Sequence, residues 1–168
     1  DDPHRQGANR SCFLDAEGFL TKPLPLIEEG VFRNFLYHVE SANKEKKSST
    51  GHAVRGYSGG ISTRSHNLVW PTGELNLEQL CAQNSKCLLV TQLEGQAGCN
   101  PVSGDISIGV QGFLIENGRR IQPVDSITLA GNFFDVLLNI RGSGNTYQPE
   151  LTHSFIPALL IEGLTVSG

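Results

Sequence analysis

The clearest pattern in the chain is the alternation of polar and apolar residues through Asp105-Ile106-Ser107-Ile108-Gly109-Val110-Gln111. It predicts a half-buried strand with Ile106, Ile108 and Val110 on one face. Phe113-Leu114-Ile115-Glu116 carries on to Asn117-Gly118, a pair that tolerates the positive φ a type I′ hairpin needs at both central positions. The partner strand holds Ile121 and Val124, and alternation resumes from Ser126 to Ala130 through Ile127 and Leu129. An earlier hairpin is predicted where Leu24, Leu26 and Ile27 run through Glu28-Glu29-Gly30 into Val31, Phe32, Phe35 and Leu36. Cys87-Leu88-Leu89-Val90 reads as a buried strand, and Ala158 to Val166 as two short strands or one bent strand, kinked at Gly163. The triplet Leu-Ile-Glu at 26–28, 114–116 and 160–162 reads as a recurring strand end.

Helical spacing is rarer. His38 to Lys47 is polar and suits a short exposed helix, while Leu77, Leu80 and Cys81 follow Glu74 at the spacing of a short amphipathic one. Asn132 reads as the N-cap of a core helix carrying Phe133, Val136, Leu137 and Ile140 and closing at Arg141-Gly142. Gly51 to Ser65, with Gly51, Gly56, Gly59 and Gly60 among serines and threonines, reads as a long functional loop. Its Gly56-Tyr57-Ser58-Gly59-Gly60 fits neither glycine-rich nucleotide fingerprint. The expected fold class is α+β and predominantly β: antiparallel hairpins in a single β-rich domain over residues 1–168, with about two short helices.

Composition narrows the function. With 168 residues, 13 Lys+Arg, 17 Asp+Glu and a formal charge of −4, the chain lacks the positive field that attracts nucleic acid. No apolar run reaches the ~20 residues of a membrane-spanning helix, so no membrane partner is expected. The chain contains no Met and starts Asp1-Asp2-Pro3-His4, which reads as a piece of a longer polypeptide. Cys12, Cys81, Cys87 and Cys99 form no C-x-x-C pair and read as reduced thiols. His4, His38, His52, His66 and His153 show no i, i+4 pairing and no zinc signature, so no metal ligand is assigned from spacing.

A series of phrases resembles the TldD/PmbA family, also called the modulator of DNA gyrase family, in its PmbA (TldE) branch. They are Phe13-Leu14-Asp15-Ala16-Glu17-Gly18, Leu26-Ile27-Glu28-Glu29-Gly30, Ser49-Thr50-Gly51-His52-Ala53, and the run from Ser103 to Gly118. Pro123-Val124, Thr128-Leu129-Ala130-Gly131-Asn132, Asn139-Ile140 and Gly144-Asn145 follow in order. The resemblance implies the C-terminal part of a larger subunit, following an N-terminal α/β region. It also implies a dimer, with a TldD-like subunit or a second copy, that acts as a cytoplasmic zinc metallopeptidase trimming unstructured peptides in proteolysis and peptide maturation.

In the TldD branch the resemblance places zinc on an H-E-x-x-x-H motif upstream and on a cysteine in a Cys-Gly-Lys-like phrase. Between Asn145 and Pro157 this chain has no cysteine, and His153 is a lone imidazole. The expectation is therefore a non-catalytic subunit with no catalytic or metal residue and no cofactor of its own, zinc residing in the TldD-like partner. Its contribution is a wall for an extended peptide, with Thr50, Gly51, His52 and Arg55 as substrate-binding candidates. Two other readings are a hydrolase using Cys99 as nucleophile, and a regulatory module acting on a protein partner, as the gyrase-modulator name suggests.

Overall fold

The computed structural model describes residues 1–95, 98–147 and 153–168. In chain order they form β1 (Ile27–Glu28), β2 (Val31–Phe32), α1 (Val39–Lys44), β3 (Ala53–Arg55), β4 (Ile61–Thr63), β5 (Leu68–Val69) and α2 (Leu77–Cys81). Then follow β6 (Lys86–Glu94), β7 (Asp105–Glu116), β8 (Arg119–Asn132), α3 (Phe133–Leu138), β9 (Ile140–Tyr147), β10 (Ser154–Phe155), β11 (Pro157–Ile161) and β12 (Thr165–Ser167). The fold is predominantly β with three short helices among the described residues. The chain divides into two compact units. One is Asp1–Trp70 with the described part of Gln148–Ile156; the other is Pro71–Tyr147 with Pro157–Gly168.

The second unit is built on the sheet β12-β8-β7-β6. β7 and β8 pair antiparallel from Asp105↔Asn132 to Glu116↔Arg119, closed by Asn117 (φ 48) and Gly118 (φ 76), the positive pair that a type I′ turn demands. Ile121–Val124 and Ser126–Ala130 lie on one continuous strand, β8. A register shift opposite Val110 and Gly112 takes up the irregularity, with Ser126 at φ 55 beside it. Gly112 lets the backbones close there, since a Cβ would lie 1.9 Å from the Leu89 carbonyl oxygen. Val110 and Ile115 are buried, as are Leu80 and Cys81 of α2. Asn76 caps α2 through a reciprocal pair of bonds with Gln79.

Two expectations change in this unit. Asn132 does cap α3 by accepting from the Phe134 N–H at 3.0 Å, but the helix ends at Leu138, and Ile140, Arg141 and Gly142 belong to β9. Nor is α3 a core helix: Phe133, Phe134 and Leu138 are 49%, 57% and 74% exposed. A 3.6-residue period locates an apolar face but not what covers it. Gly163, at φ 81, separates β11 from β12, which join different sheets.

Among the described residues, the first unit has strands of two or three residues only. Glu29 (φ 51) and Gly30 (φ 76) turn β1 into β2, as predicted. The segment expected to be a loop contains the antiparallel hairpin β3–β4, Ala53↔Thr63 to Arg55↔Ile61. Gly56, Ser58, Gly59 and Gly60 lie at its tip, and composition averaged across the segment hid the strands. β5 pairs in parallel with β10, Leu68↔Ser154 and Val69↔Phe155.

Candidate functional site

The first unit is organised around buried polar groups. Asp15 is buried; its Oδ1 accepts the Glu17 and Phe19 N–H groups at 2.9 Å each, and its Oδ2 accepts the Ala53 N–H at 3.0 Å. A single carboxylate thus shapes the tight turn at Gly18 and fastens it to the start of β3. Glu17 Oε2 accepts the Val39 N–H at 2.8 Å, serving one of the orphan donors at the start of α1. Asn67, 0% exposed, donates to the Asp2 carbonyl at 2.8 Å and to the Ser11 hydroxyl at 3.1 Å. Most of the Phe13–Gly18 phrase is therefore structural.

The Ser49–Ala53 phrase turns inward in the same way. Thr50 Oγ1 accepts the Tyr37 N–H at 2.7 Å and donates to the Tyr37 carbonyl at 3.2 Å. Gly51 has φ 72, and a Cβ there would stand 2.9 Å from the Leu20 carbonyl oxygen, so this position suits glycine for two reasons. His52 is 1% exposed. Its Nδ1 lies 2.9 Å from Thr50 Oγ1 and its Nε2 lies 2.9 Å from Asp1 Oδ2.

The same Asp1 oxygen lies 3.1 Å from His66 Nδ1, and the two imidazole centroids are 4.7 Å apart. Asp1, His52 and His66 thus bring three potential ligand atoms within 4.8 Å of one another. The second carboxylate oxygen, Asp1 Oδ1, is buried without a hydrogen-bond partner. Burial lowers the pKa of both histidines, that of His52 to about 4, with the neighbouring His66 adding to the effect. Burial thus favours the neutral form of both rings. This cluster escaped the sequence reading because its members lie 51 and 65 positions from Asp1, where no local spacing signals them.

Against one side of the cluster opens a hollow of about 330 Å³, lined in part by Arg10, Cys12, Asp15, Arg55, Arg64 and His66. Among the described residues no ion pair engages Arg10, Arg55 or Arg64. Of the four substrate-binding candidates, Arg55 is exposed and lines this hollow, while Thr50, Gly51 and His52 do not line it; Thr50 is half-buried and the other two are buried. Cys12 shares the hollow, yet burial first and Asp15 second push its thiol pKa up, the opposite of what a nucleophile requires. Cys99 is exposed and pairs by a backbone bridge with Ile106. The stretch without cysteine includes residues 148–152, which lie outside the described residues; His153 is described, and its carbonyl accepts the Leu68 N–H.

Comparison with known proteins settles the family. Residues 1–168 match the family model of the PmbA/TldA metallopeptidase C-terminal domain. The chain is 40% identical over 167 residues to the metalloprotease PmbA homolog of Haemophilus influenzae, covering 99% of this chain and 35% of that protein. It is 37% identical over 146 residues to metalloprotease PmbA of Escherichia coli O157:H7, covering 87% and 30%. The chain spans about a third of the length of these curated relatives. Among solved structures, TldE from Thermococcus kodakarensis aligns with a TM-score of 0.91 at 28% identity, over 100% of this chain and 39% of that one. A Thermotoga maritima protein described as a candidate modulator of a DNA gyrase aligns at 0.89 with 34% identity, over 99% and 38%. The chain belongs to the PmbA/TldD metallopeptidase family and corresponds to the C-terminal part of a PmbA/TldE-like subunit.

Proposed function

We propose that this chain is the C-terminal part of a non-catalytic subunit of a cytoplasmic zinc metallopeptidase that trims unstructured peptides, the zinc that cuts being held by a TldD-like partner. A catalytic zinc needs a coordination position open to substrate and a carboxylate to take the proton of its water. Asp1, His52 and His66 supply donors of the right chemistry, but the Asp1 and His52 side chains are wholly enclosed and His66 is 9% exposed. That donor set fits an enclosed ion and does not fit one that meets a peptide bond.

The observation that carries the reading is the hollow edged by Arg10, Arg55 and Arg64 beside β3. It offers guanidinium groups to a carboxylate, such as a peptide C-terminus or an acidic side chain, while the hairpin β3–β4 offers backbone N–H and C=O groups that pair without regard to sequence. The hollow can hold, and its own thiol is kept protonated. In this role Arg55 contacts substrate directly, and Thr50, Gly51 and His52 position its strand.

The test is peptide turnover by the intact protein, alone and mixed with a zinc-bearing TldD-like subunit. Turnover is expected only in the mixture, and Arg55→Ala combined with Arg64→Ala is expected to lower kcat/KM roughly tenfold for acidic or free-carboxylate peptides, the size of one or two charge-assisted bonds. Turnover by the protein alone, insensitive to those substitutions, would overturn the reading.

A further inference from the structure

The cluster of Asp1, His52 and His66 buries one carboxylate oxygen that no described residue answers. Thr50 Oγ1 gives its proton to the Tyr37 carbonyl, so only its lone pairs remain for the Tyr37 N–H and for His52 Nδ1. With the hydroxyl so turned, His52 Nδ1 carries the proton, since two lone pairs do not bond; with the hydroxyl turned to Nδ1 instead, the proton sits on Nε2. The first arrangement leaves Nε2 bare, directed at a carboxylate oxygen 2.9 Å away. Close beside them Asp1 Oδ1 is buried with no donor at all.

We propose that Asp1, His52 and His66 form a closed structural site for a divalent transition-metal ion of the zinc type, bound by His52 Nε2, His66 Nδ1 and both oxygens of Asp1. A four-coordinate ion with bonds of about 2.0–2.1 Å holds single-atom ligands about 3.3 Å apart, close to the 2.9 and 3.1 Å that separate Asp1 Oδ2 from the two ring nitrogens. The cation turns the contact between the bare nitrogen and the carboxylate from repulsive to attractive, and it gives Oδ1 the partner it lacks. The Nδ1–H bond from His52 to Thr50 is the outer hydrogen bond by which ligating imidazoles are ordinarily oriented. Imidazole nitrogen with carboxylate oxygen suits zinc, and also cobalt, nickel or copper, better than calcium or magnesium. His66 also lines the arginine-edged hollow, which supplies an entry path.

The ion would join three segments that are far apart in sequence: the Asp1–Asp2 stretch, the residue before β3 and the approach to β5. Hydrophobic packing does little of this work, since the fully buried side chains of this unit are His52, Asn67 and Pro3. Small units that lack a sufficient apolar core are commonly held by a metal.

The test uses the intact protein produced without any partner subunit, stripped with a chelator and titrated with Zn²⁺ or Co²⁺. One equivalent bound at this site, a higher Tm on loading, visible absorption of four-coordinate cobalt and a cobalt absorption edge showing two imidazole ligands are expected. Asp1→Asn and His66→Gln are expected to lose those cobalt bands and the Tm gain while keeping the far-ultraviolet circular dichroism of the metal-free protein. Because a variant can simply fail to fold, the imidazole count on the unaltered protein stands independently. Wild-type protein that shows neither cobalt bands nor a Tm rise, or folded variants that bind as well as wild type, would overturn the proposal.

Discussion

The two units of this chain bury different chemistry. In the unit containing the long ladder β6-β7-β8, the interior is Val110, Ile115, Leu80 and Cys81; in the other, it is His52, His66, Asn67, Asp15 and Thr21, with Ala42, Ala53 and Pro3 between them. Strands of nine to fourteen residues present enough alternating side chains to make an apolar layer. Strands of two or three residues do not, and specific hydrogen bonds must fix the chain instead. Such a polar interior is rigid while every group is satisfied and costly once one is not. Asp1 Oδ1 is the group that breaks this rule, and it lies in the cluster assigned to a metal.

The contrast can be broken most severely through the apolar unit. Ile115→Ala removes a side chain that is 2% exposed and is expected to cost about 2–5 kcal/mol. Hydrogen exchange should show the loss in β6, β7 and β8; an equal loss of protection in β3 and β4 would mean that the two units do not behave separately. Acid should act on the other unit. His52, with its pKa held down to about 4, stays neutral in the folded protein while the unfolded chain takes up a proton near the ordinary 6.5. Stability of the metal-free protein is therefore full above pH 6.5 and falls between about 6.5 and 4, by on the order of 3 kcal/mol in total. A denaturation series that is flat across that window, or one unchanged by His52→Gln, would remove His52 from the balance.

Smaller effects sharpen the same division. Asn67→Ala strands the Asp2 carbonyl and the Arg10 N–H, which lies 3.3 Å from Asn67 Oδ1. A loss of about 1–3 kcal/mol is expected, read from urea midpoints at constant m-value and confined to the polar unit. Asn76→Ala removes one side of the cap on α2 and is expected to cost about 1 kcal/mol, visible as a small Tm decrease with a normal response to zinc. If Asn76→Ala weakened zinc binding as much as His66→Gln does, the site would not be local to its three ligands.

The sequence revealed those parts of the fold whose causes are local. Glu29-Gly30 and Asn117-Gly118 announce their turns because few residue pairs accept positive φ, and alternation through Ile106, Ile108 and Val110 betrays β7 because one face of it is covered. β3 and β4 were hidden by the glycines of their own tip. β5 and β10 could not be seen, since two residues pairing across more than eighty positions of chain leave no periodic trace. α3 was located by its apolar spacing and misjudged in burial, because Phe133, Val136 and Leu137 have the same pattern whether covered or bare, and none of them is buried. The site was the least legible part. Arg55 was singled out and does line the hollow, but Asp1 and His66 carry no local signal, and their meeting with His52 is a property of the folded chain alone.

Whether this chain helps to hold peptide while a partner subunit cuts is answered by zinc-edge anomalous diffraction from crystals of the intact protein assembled with a TldD-like subunit. The account predicts a zinc at an open site in the partner and, within residues 1–168, zinc only between Asp1, His52 and His66. A zinc held by this chain at a solvent-open position, with a carboxylate beside its free coordination site, would contradict it.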